Sequence, residues 1–219
     1  MNFKPNKEGF TLVELIIVMA IMSFLLALSA PMVEAARSDI SMNRTLRYVK
    51  TDLITGMGYA LAGKSIGALS ANDLKNPAQI PETYALYFQK SADDFAGPKY
   101  SYVELVPDGD SGKVRVNYQV EKEWPSSAVA LTAIRLTDGD TDPGRPVDQA
   151  LIFFTSPFGK ISFIADPGQL FVPGGTMNLA EAFKNESDTK QIELDFQFRD
   201  NELSKSTLTL NTDKTISIL

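Results

Sequence analysis

GFTLVELIIVMAIMSFLLALSA, at residues 9–30, is the stretch that decides the fold of this chain. A short leader with Lys4 and Lys7 precedes the stretch, and its only ionisable side chain is Glu14. At 1.5 Å per residue, the apolar run is long enough to cross a hydrocarbon core of roughly 30 Å. The pattern therefore predicts a membrane-spanning helix near the N-terminus.

Glu14 is unusual because it places a carboxylate inside this apolar run. A carboxylate in the membrane costs about 3 kcal/mol or more, so it needs a partner or a position near the interface. Two interpretations remain open at this point. Glu14 is either a functional residue within the membrane or a glutamate whose side chain reaches the membrane edge.

The combination of Gly9, Phe10 and Glu14 with the apolar helix resembles the class III signal of type IV pilins and of type II secretion pseudopilins. The resemblance implies that a prepilin peptidase cleaves between Gly9 and Phe10 and methylates the new amino terminus. It also implies that Glu14, as fifth residue of the mature chain, recruits a subunit and neutralises the Phe10 ammonium group of a neighbour. Pro31 is expected to kink the helix just past the membrane. Glu8 departs from the family pattern, since many leaders carry a basic residue there.

The composition excludes several classes of chemistry. The 219 residues carry a formal net charge of −6, and since the leader contributes a net +1, the remainder carries −7. This charge argues against general nucleic-acid binding, which needs Lys and Arg to face the phosphates. Because the chain has no cysteine and no histidine, disulfides, thiol chemistry, Ser-His-Asp catalysis and histidine metal sites are excluded. Many major pilins have a disulfide-bounded loop, which this chain therefore lacks.

The flanking charges predict the orientation of the span. Lys4 and Lys7 precede it, so the positive-inside rule places the leader in the cytoplasm and the bulk of the chain outside. We expect a single-pass inner-membrane protein with an extracytoplasmic C-terminal domain that later enters a pilus or pseudopilus. The alternative is a conventional secretory signal cleaved near residues 27–29. Glu14 within the apolar region counts against that alternative.

A helical stripe continues past Pro31, which predicts that the helix extends to about Gly63. We therefore expect a leader at 1–9, a helix at 10–62 that is apolar and then amphipathic, and a globular domain at 63–219. The apolar residues of the stripe are Val33, Ala36, Ile40, Leu46, Val49, Leu53, Met57 and Ala60.

The period changes from helical to two after residue 83, which is typical of strands. One long helix followed by short antiparallel strands predicts an α+β fold of pilin type, in which the helix packs on a β-rich domain. The closing third of the chain resembles the minor pseudopilin H and FimT-like group. A short helix is expected at 178–184, a polar turn at 200–203, and strands at 84–89, 100–106, 114–120, 129–136, 150–155, 161–164, 191–199, 206–210 and 215–219.

Residues 58–65 match the phosphate-loop pattern GxxxxGK[ST]. That motif needs a strand before it and a helix after it, so that backbone amides and a helix N-terminus surround the phosphate. Here the preceding residues have helical periodicity. The match is therefore interpreted as coincidence near a helix end.

Spaced aspartates between residues 138 and 148 suggest either a calcium loop or a solvated turn. Hard cations such as calcium prefer carboxylate oxygens, but the spacing is not that of an EF-hand. Major pseudopilins have a structural calcium in a C-terminal loop, which favours the calcium interpretation by resemblance. The candidate ligands of this structural calcium are Asp138, Asp140, Asp142 and Asp148.

No catalytic site emerges from the sequence. Trp124 is either a sugar-stacking platform or a packing residue, and packing is the more common role of a single tryptophan. We expect a structural subunit in a minor role, whose partners are prepilin peptidase, other pilin or pseudopilin subunits and an inner-membrane assembly platform. The alternatives are a major pilin, a secreted or membrane-anchored enzyme, and a DNA-binding pilin that uses the same export signal.

Overall fold

A computed structural model describes residues 11–62, 83–90, 99–108, 113–138, 144–155, 160–171, 175–185, 188–199 and 201–219. The chain divides into two compact units, Met1–Ile40 and Ser41–Leu219. Helix α1, Leu12–Ala62, contributes its first part to the first unit and its second part to the second. The sequence boundary expected at residue 63 therefore differs from the boundary between the compact units.

In the first unit, the described residues form the apolar part of α1. Large apolar side chains are exposed on all sides of this part, from Leu12 to Val33. Among the described residues, α1 is the one helix that is long and apolar enough to cross a membrane. Pro31 lies inside α1, and the helix continues on both sides of it.

The second part of α1 buries one face in the second unit. Leu46, Val49, Leu53 and Ala60 belong to the predicted stripe and are buried, and Met57 is partly buried. The first residues of the predicted stripe, Val33, Ala36 and Ile40, are exposed instead. The helix thus continues past Pro31 as predicted, and the exposed start of the stripe shows that a helical period identifies a face of a helix but not where another element begins to cover it.

The second unit also contains eleven described strands, one short helix and one 3-10 helix. The short helix α2 is Leu179–Asn185, and the 3-10 helix is Gly168–Phe171. The strands are β1 Thr83–Gln89, β2 Lys99–Pro107, β3 Lys113–Glu123, β4 Val129–Thr137, β5 Arg145–Val147, β6 Gln149–Thr155, β7 Lys160–Ala165, β8 Thr176–Asn178, β9 Gln191–Phe198, β10 Asn201–Asn211 and β11 Ile216–Ile218.

The strands form two antiparallel sheets. Sheet A has the order β7-β6-β1-β2-β3-β8, and sheet B has the order β11-β10-β9-β4-β5. Strand β1 pairs with β6, and Tyr84 lies opposite Phe154 in this pair. The pairing joins segments that are far apart in sequence. The α+β architecture, with a long N-terminal helix and an antiparallel β-rich domain, is confirmed.

Burial on both faces explains the continuous apolar run in β1. Tyr84, Leu86 and Phe88 point into the main hydrophobic cluster, which also contains residues of α1 and sheet B. Ala85 and Tyr87 point into a second cluster, to which the 3-10 helix and α2 contribute. A strand covered on both faces has no solvent-facing positions that would require polar side chains.

The structure corrects three details of the predicted strands. Strands β5 and β8 were not predicted. Of the turn expected at 200–203, residues 201–203 belong instead to the start of β10, where Asn201 pairs with Phe198. In β3, a β-bulge interrupts the expected alternation. As a result, Val116 packs with the second cluster and Val120 with the main cluster.

Candidate functional site

Glu14 lies in the first turn of α1 and forms hydrogen bonds with Thr11, the residue before the helix. The Thr11 backbone N–H donates to Glu14 Oε2 at 2.8 Å, and the Thr11 hydroxyl donates to the same oxygen at 2.9 Å. The Glu14 backbone N–H donates in turn to Thr11 Oγ1 at 3.3 Å. The side chain of each residue therefore binds the backbone of the other.

This reciprocal arrangement is a capping box, in which a residue before the helix and a Glu three positions later satisfy two otherwise unpaired N–H groups. The resemblance implies a role for Glu14 between subunits, whereas this local role was not predicted. The Thr-x-x-Glu spacing of residues 11–14 was the signal that would have revealed it. Glu14 thus has a defined position within its own helix.

Of the other predicted residues of the N-terminal signal, only Pro31 is among the described residues. Gly9 and Phe10 lie outside the described residues. Pro31 lies inside α1, and its predicted kink stays a prediction. The apolar side chains that follow Glu14 are exposed, so this part of α1 presents a surface suited to lipid or to other apolar helices.

The phosphate-loop match does not have the structural context that phosphate binding needs. Gly58 and the residues up to Ala62 belong to α1. Gly63, Lys64 and Ser65 lie outside the described residues. Because a helix stands where the motif requires a strand and a turn, the interpretation as coincidence is supported.

Two of the four predicted calcium ligands are among the described residues and lie next to the paired strands β4 and β5. Asp138 follows β4, Asp148 follows β5, and both are exposed. Asp140 and Asp142 lie outside the described residues. Within the described ranges, no group of three or more His, Cys, Asp or Glu side chains is arranged to hold a metal ion. The calcium loop therefore stays a prediction.

The strand register limits where such an ion would bind. Val147 pairs with Ile134, so Asp148 lies beyond that pair, at the end of β5 remote from the hairpin turn. At about 3.3 Å per residue, Asp148 is about 16 Å along the ladder from Asp138. A calcium ion has its ligand oxygens at about 2.3–2.6 Å. A single ion that binds Asp138 would therefore not also bind Asp148.

A cluster of tyrosines around Asp52 was not predicted. The Tyr100 hydroxyl donates to Asp52 Oδ2, and the Tyr102 hydroxyl donates to the backbone oxygen of Asp52 at 2.7 Å. Burial and the hydrogen bond to the Asp52 carboxylate raise the pKa of Tyr100, while burial and the Asp52 charge raise the pKa of Tyr102. These bonds fix α1 to β2. The sequence offered no local signal because the partners are about fifty residues apart.

Trp124 is a packing residue and not an exposed platform for a sugar ring. Its side chain is buried and stacks on Tyr100 with ring centroids 4.8 Å apart. Its ring is perpendicular to that of Phe196, with the ring centroids 5.3 Å apart. Five phenylalanines on the strands are also buried: Phe153, Phe154, Phe163, Phe196 and Phe198. Trp124 and these phenylalanines are therefore core residues and do not indicate a binding site.

Comparison with known proteins returns one finding, and it concerns the N-terminal stretch. No curated protein and no solved structure matches the chain significantly. A family model for the prokaryotic N-terminal methylation motif matches residues 4–30. These residues include the lysines of the leader, the Gly9-Phe10 junction, Glu14 and the apolar part of α1. The chain thus carries the prokaryotic N-terminal methylation motif, the signal of type IV pilins and pseudopilins.

Proposed function

We propose that this protein is a structural subunit, in a minor role, of a type IV pilus or a type II secretion pseudopilus. The observation that carries the proposal is the methylation motif at residues 4–30, which leads into the exposed apolar part of α1. The minor role is supported by the lack of cysteines, which excludes the disulfide loop of many major pilins. The resemblance of the closing third to the FimT-like group points the same way.

In this proposal the chain enters the inner membrane through α1 as a precursor. A prepilin peptidase removes residues 1–9 by cleavage between Gly9 and Phe10 and then methylates the amino group of Phe10. The lysines of the leader stay in the cytoplasm, and the second unit lies on the extracytoplasmic side. The subunit then joins the filament at the inner-membrane assembly platform.

Glu14 directs assembly in this proposal. Its carboxylate lies in the first turn of an exposed apolar helix, where water is scarce once the helix is in the membrane. The ammonium group at the mature N-terminus of a neighbouring subunit has the opposite charge and the same need for a partner. Bringing the two groups together lowers the desolvation cost of both, and this favours addition of the subunit to the filament.

Replacing Glu14 by alanine tests the assembly role. The Glu14→Ala precursor should be inserted and cleaved, but its incorporation into sheared filaments should fall strongly. Glu34→Ala is a matched control, because Glu34 is an exposed glutamate on the same helix. Immunoblots of the membrane and filament fractions measure both steps. Normal incorporation of the Glu14→Ala chain would refute the assembly role.

Replacing Gly9 tests the processing site. The Gly9→Val precursor should retain its leader, because the resemblance places the cleaved bond directly after a glycine and valine adds a branched side chain there. Glu8→Ala is the control and should be cleaved as the wild type is. Mass spectrometry of the N-terminal peptide reports cleavage and the added methyl group. A correctly cleaved Gly9→Val chain would show that the junction lies elsewhere.

A further inference from the structure

Two of the three hydrogen bonds of the capping box reach the same oxygen of Glu14. The Thr11 N–H and the Thr11 hydroxyl donate to Oε2, at 2.8 and 2.9 Å. The hydroxyl is also the acceptor for the Glu14 N–H at 3.3 Å. A threonine or serine hydroxyl can donate and accept at the same time. The capping box therefore fixes one oxygen of the carboxylate and leaves the second, Oε1, outside it.

This arrangement survives the processing described above. All atoms of the capping box belong to Thr11 and Glu14, which remain in the chain after removal of residues 1–9. A carboxylate that has left water needs hydrogen-bond donors, and here its own helix supplies two. The carboxylate is thus held in one orientation before any neighbouring subunit arrives.

We propose that Thr11 is the positioning residue for Glu14: it holds Oε2 and directs Oε1 toward the ammonium group of a neighbouring subunit. This inference rests on the proposed assembly function. An ionised carboxylate accepts about four hydrogen bonds, so two bonds from Thr11 leave capacity for the ammonium group. Fixing the side chain in advance removes part of the ordering cost of the subunit contact.

Two substitutions of Thr11 in the full chain separate its hydroxyl from its shape. Thr11→Val keeps the branched shape and removes the hydroxyl, whereas Thr11→Ser keeps the hydroxyl. Incorporation into filaments is measured relative to the cleaved, membrane-inserted subunit. We expect Thr11→Val to lower incorporation about tenfold, since hydrogen bonds to charged groups are among the stronger ones, and Thr11→Ser to stay near the wild type. Equal incorporation of both variants would overturn the inference.

The double variant shows whether Thr11 acts through Glu14. Thr11→Val combined with Glu14→Ala should incorporate no less than Glu14→Ala alone, because the carboxylate that Thr11 positions is already absent. An additional loss in the double variant would mean that Thr11 acts independently, which contradicts the inference. Normal assembly of Glu14→Ala would instead refute the proposed function itself. The two failures are therefore distinguishable.

Amide hydrogen exchange provides a measurement that does not depend on filaments. In the full chain in detergent micelles, the Glu14 amide should exchange faster in Thr11→Val than in the wild type, because its acceptor is lost. Thr11→Ser should exchange as the wild type does. If Thr11→Val leaves the exchange of the Glu14 amide unchanged, the capping box does not hold Glu14 and the inference fails.

Discussion

The two parts of α1 belong to one helix but differ in how their apolar side chains are arranged. Before residue 40, apolar side chains such as Leu25 point in all directions and are exposed. After it, residues such as Leu53 lie on one face and are fully buried, while Arg44 and Arg47 are exposed. A helix that is apolar all round needs an apolar environment, whereas a one-sided helix needs a protein core.

The difference shows that the arrangement of apolar residues, more than their number, decides what a helix binds. In the first part, the apolar side chains are exposed, so no described residue of the first unit covers them. In the second part, the stripe is satisfied within the chain by sheets A and B. The first part is thus available for a membrane or for other subunits, and the second part anchors it to a stable unit.

The largest effect is expected from truncating one leucine in each part of α1 and comparing the losses of stability. Leu53→Ala should lower the free energy of unfolding of the second unit by about 2–5 kcal/mol, because Leu53 is fully buried. Leu25→Ala should leave it unchanged, since Leu25 is 55% exposed. Thermal unfolding of the full chain in detergent micelles measures both. Similar losses for the two variants would contradict the division.

A second pair of substitutions tests how closely α1 approaches sheet A. A Cβ atom on Gly56 would lie 2.9 Å from Cε2 of Phe154, a ring that is fully buried on β6. Gly56→Ala should therefore destabilise the second unit by about 1–3 kcal/mol through overpacking.

Gly58→Ala is the matched control for that substitution. A Cβ atom on Gly58 meets nothing within 4 Å. Alanine should stabilise the helix there by about 0.5–1 kcal/mol, because glycine loses more conformational freedom on folding. Chemical denaturation of the purified full-length variants gives both free energies. A stable Gly56→Ala protein would show that α1 lies farther from Phe154 than the structure places it.

The sequence predicted the elements whose periods extend over many residues. Helix α1 and strands such as β6 were identified because their apolar residues repeat or run without interruption. Strands β5 and β8 have three residues each, too few to show a period, and Pro146 in β5 counts against a strand. Pro146 is tolerated because β5 is the edge strand of sheet B.

Contacts between segments that are far apart in sequence could not be predicted from sequence patterns. The bonds from Tyr100 and Tyr102 to Asp52, and the pairing of β1 with β6, depend on how the chain folds back on itself. The capping box at Thr11 and Glu14 was different, because its spacing is local and visible in the sequence. Local chemistry at the candidate site was thus predictable, whereas the tertiary contacts that anchor α1 were not.

A third prediction concerns alkaline pH, which should affect the anchored part of α1 and its sheet. Burial and the Glu104 carboxylate, opposite on β2, raise the pKa of Tyr84 to about 12. An unfolded tyrosine titrates near pH 10, so between about pH 10 and 12 the unfolded chain loses a proton that the folded chain keeps. Stability is therefore fully present below pH 10 and falls above it, by about 1.4 kcal/mol per pH unit for each such tyrosine.

Comparing the wild type with Tyr84→Phe isolates this contribution from the titration of lysines. The difference in the free energy of unfolding between the two proteins should be constant up to about pH 10 and then change in favour of Tyr84→Phe. Denaturation in urea at a series of pH values measures it. A difference that stays constant to pH 12 would show that Tyr84 titrates as an exposed tyrosine does.

The smallest expected effect distinguishes two buried tyrosines on neighbouring strands of sheet A at neutral pH. Tyr100→Phe removes the hydroxyl that donates to Asp52 on α1 and should cost about 1.5 kcal/mol, as expected for a bond to a charged group. The Tyr84 hydroxyl is buried and has no hydrogen-bond partner among the described residues. Removing it should therefore leave the stability unchanged or raise it slightly. Chemical denaturation at pH 7 measures both variants. If Tyr84→Phe lost as much stability as Tyr100→Phe, the anchoring of α1 would not depend on the Asp52 bond in particular. The two parts of α1 would then differ only in whether their apolar side chains pack into a core.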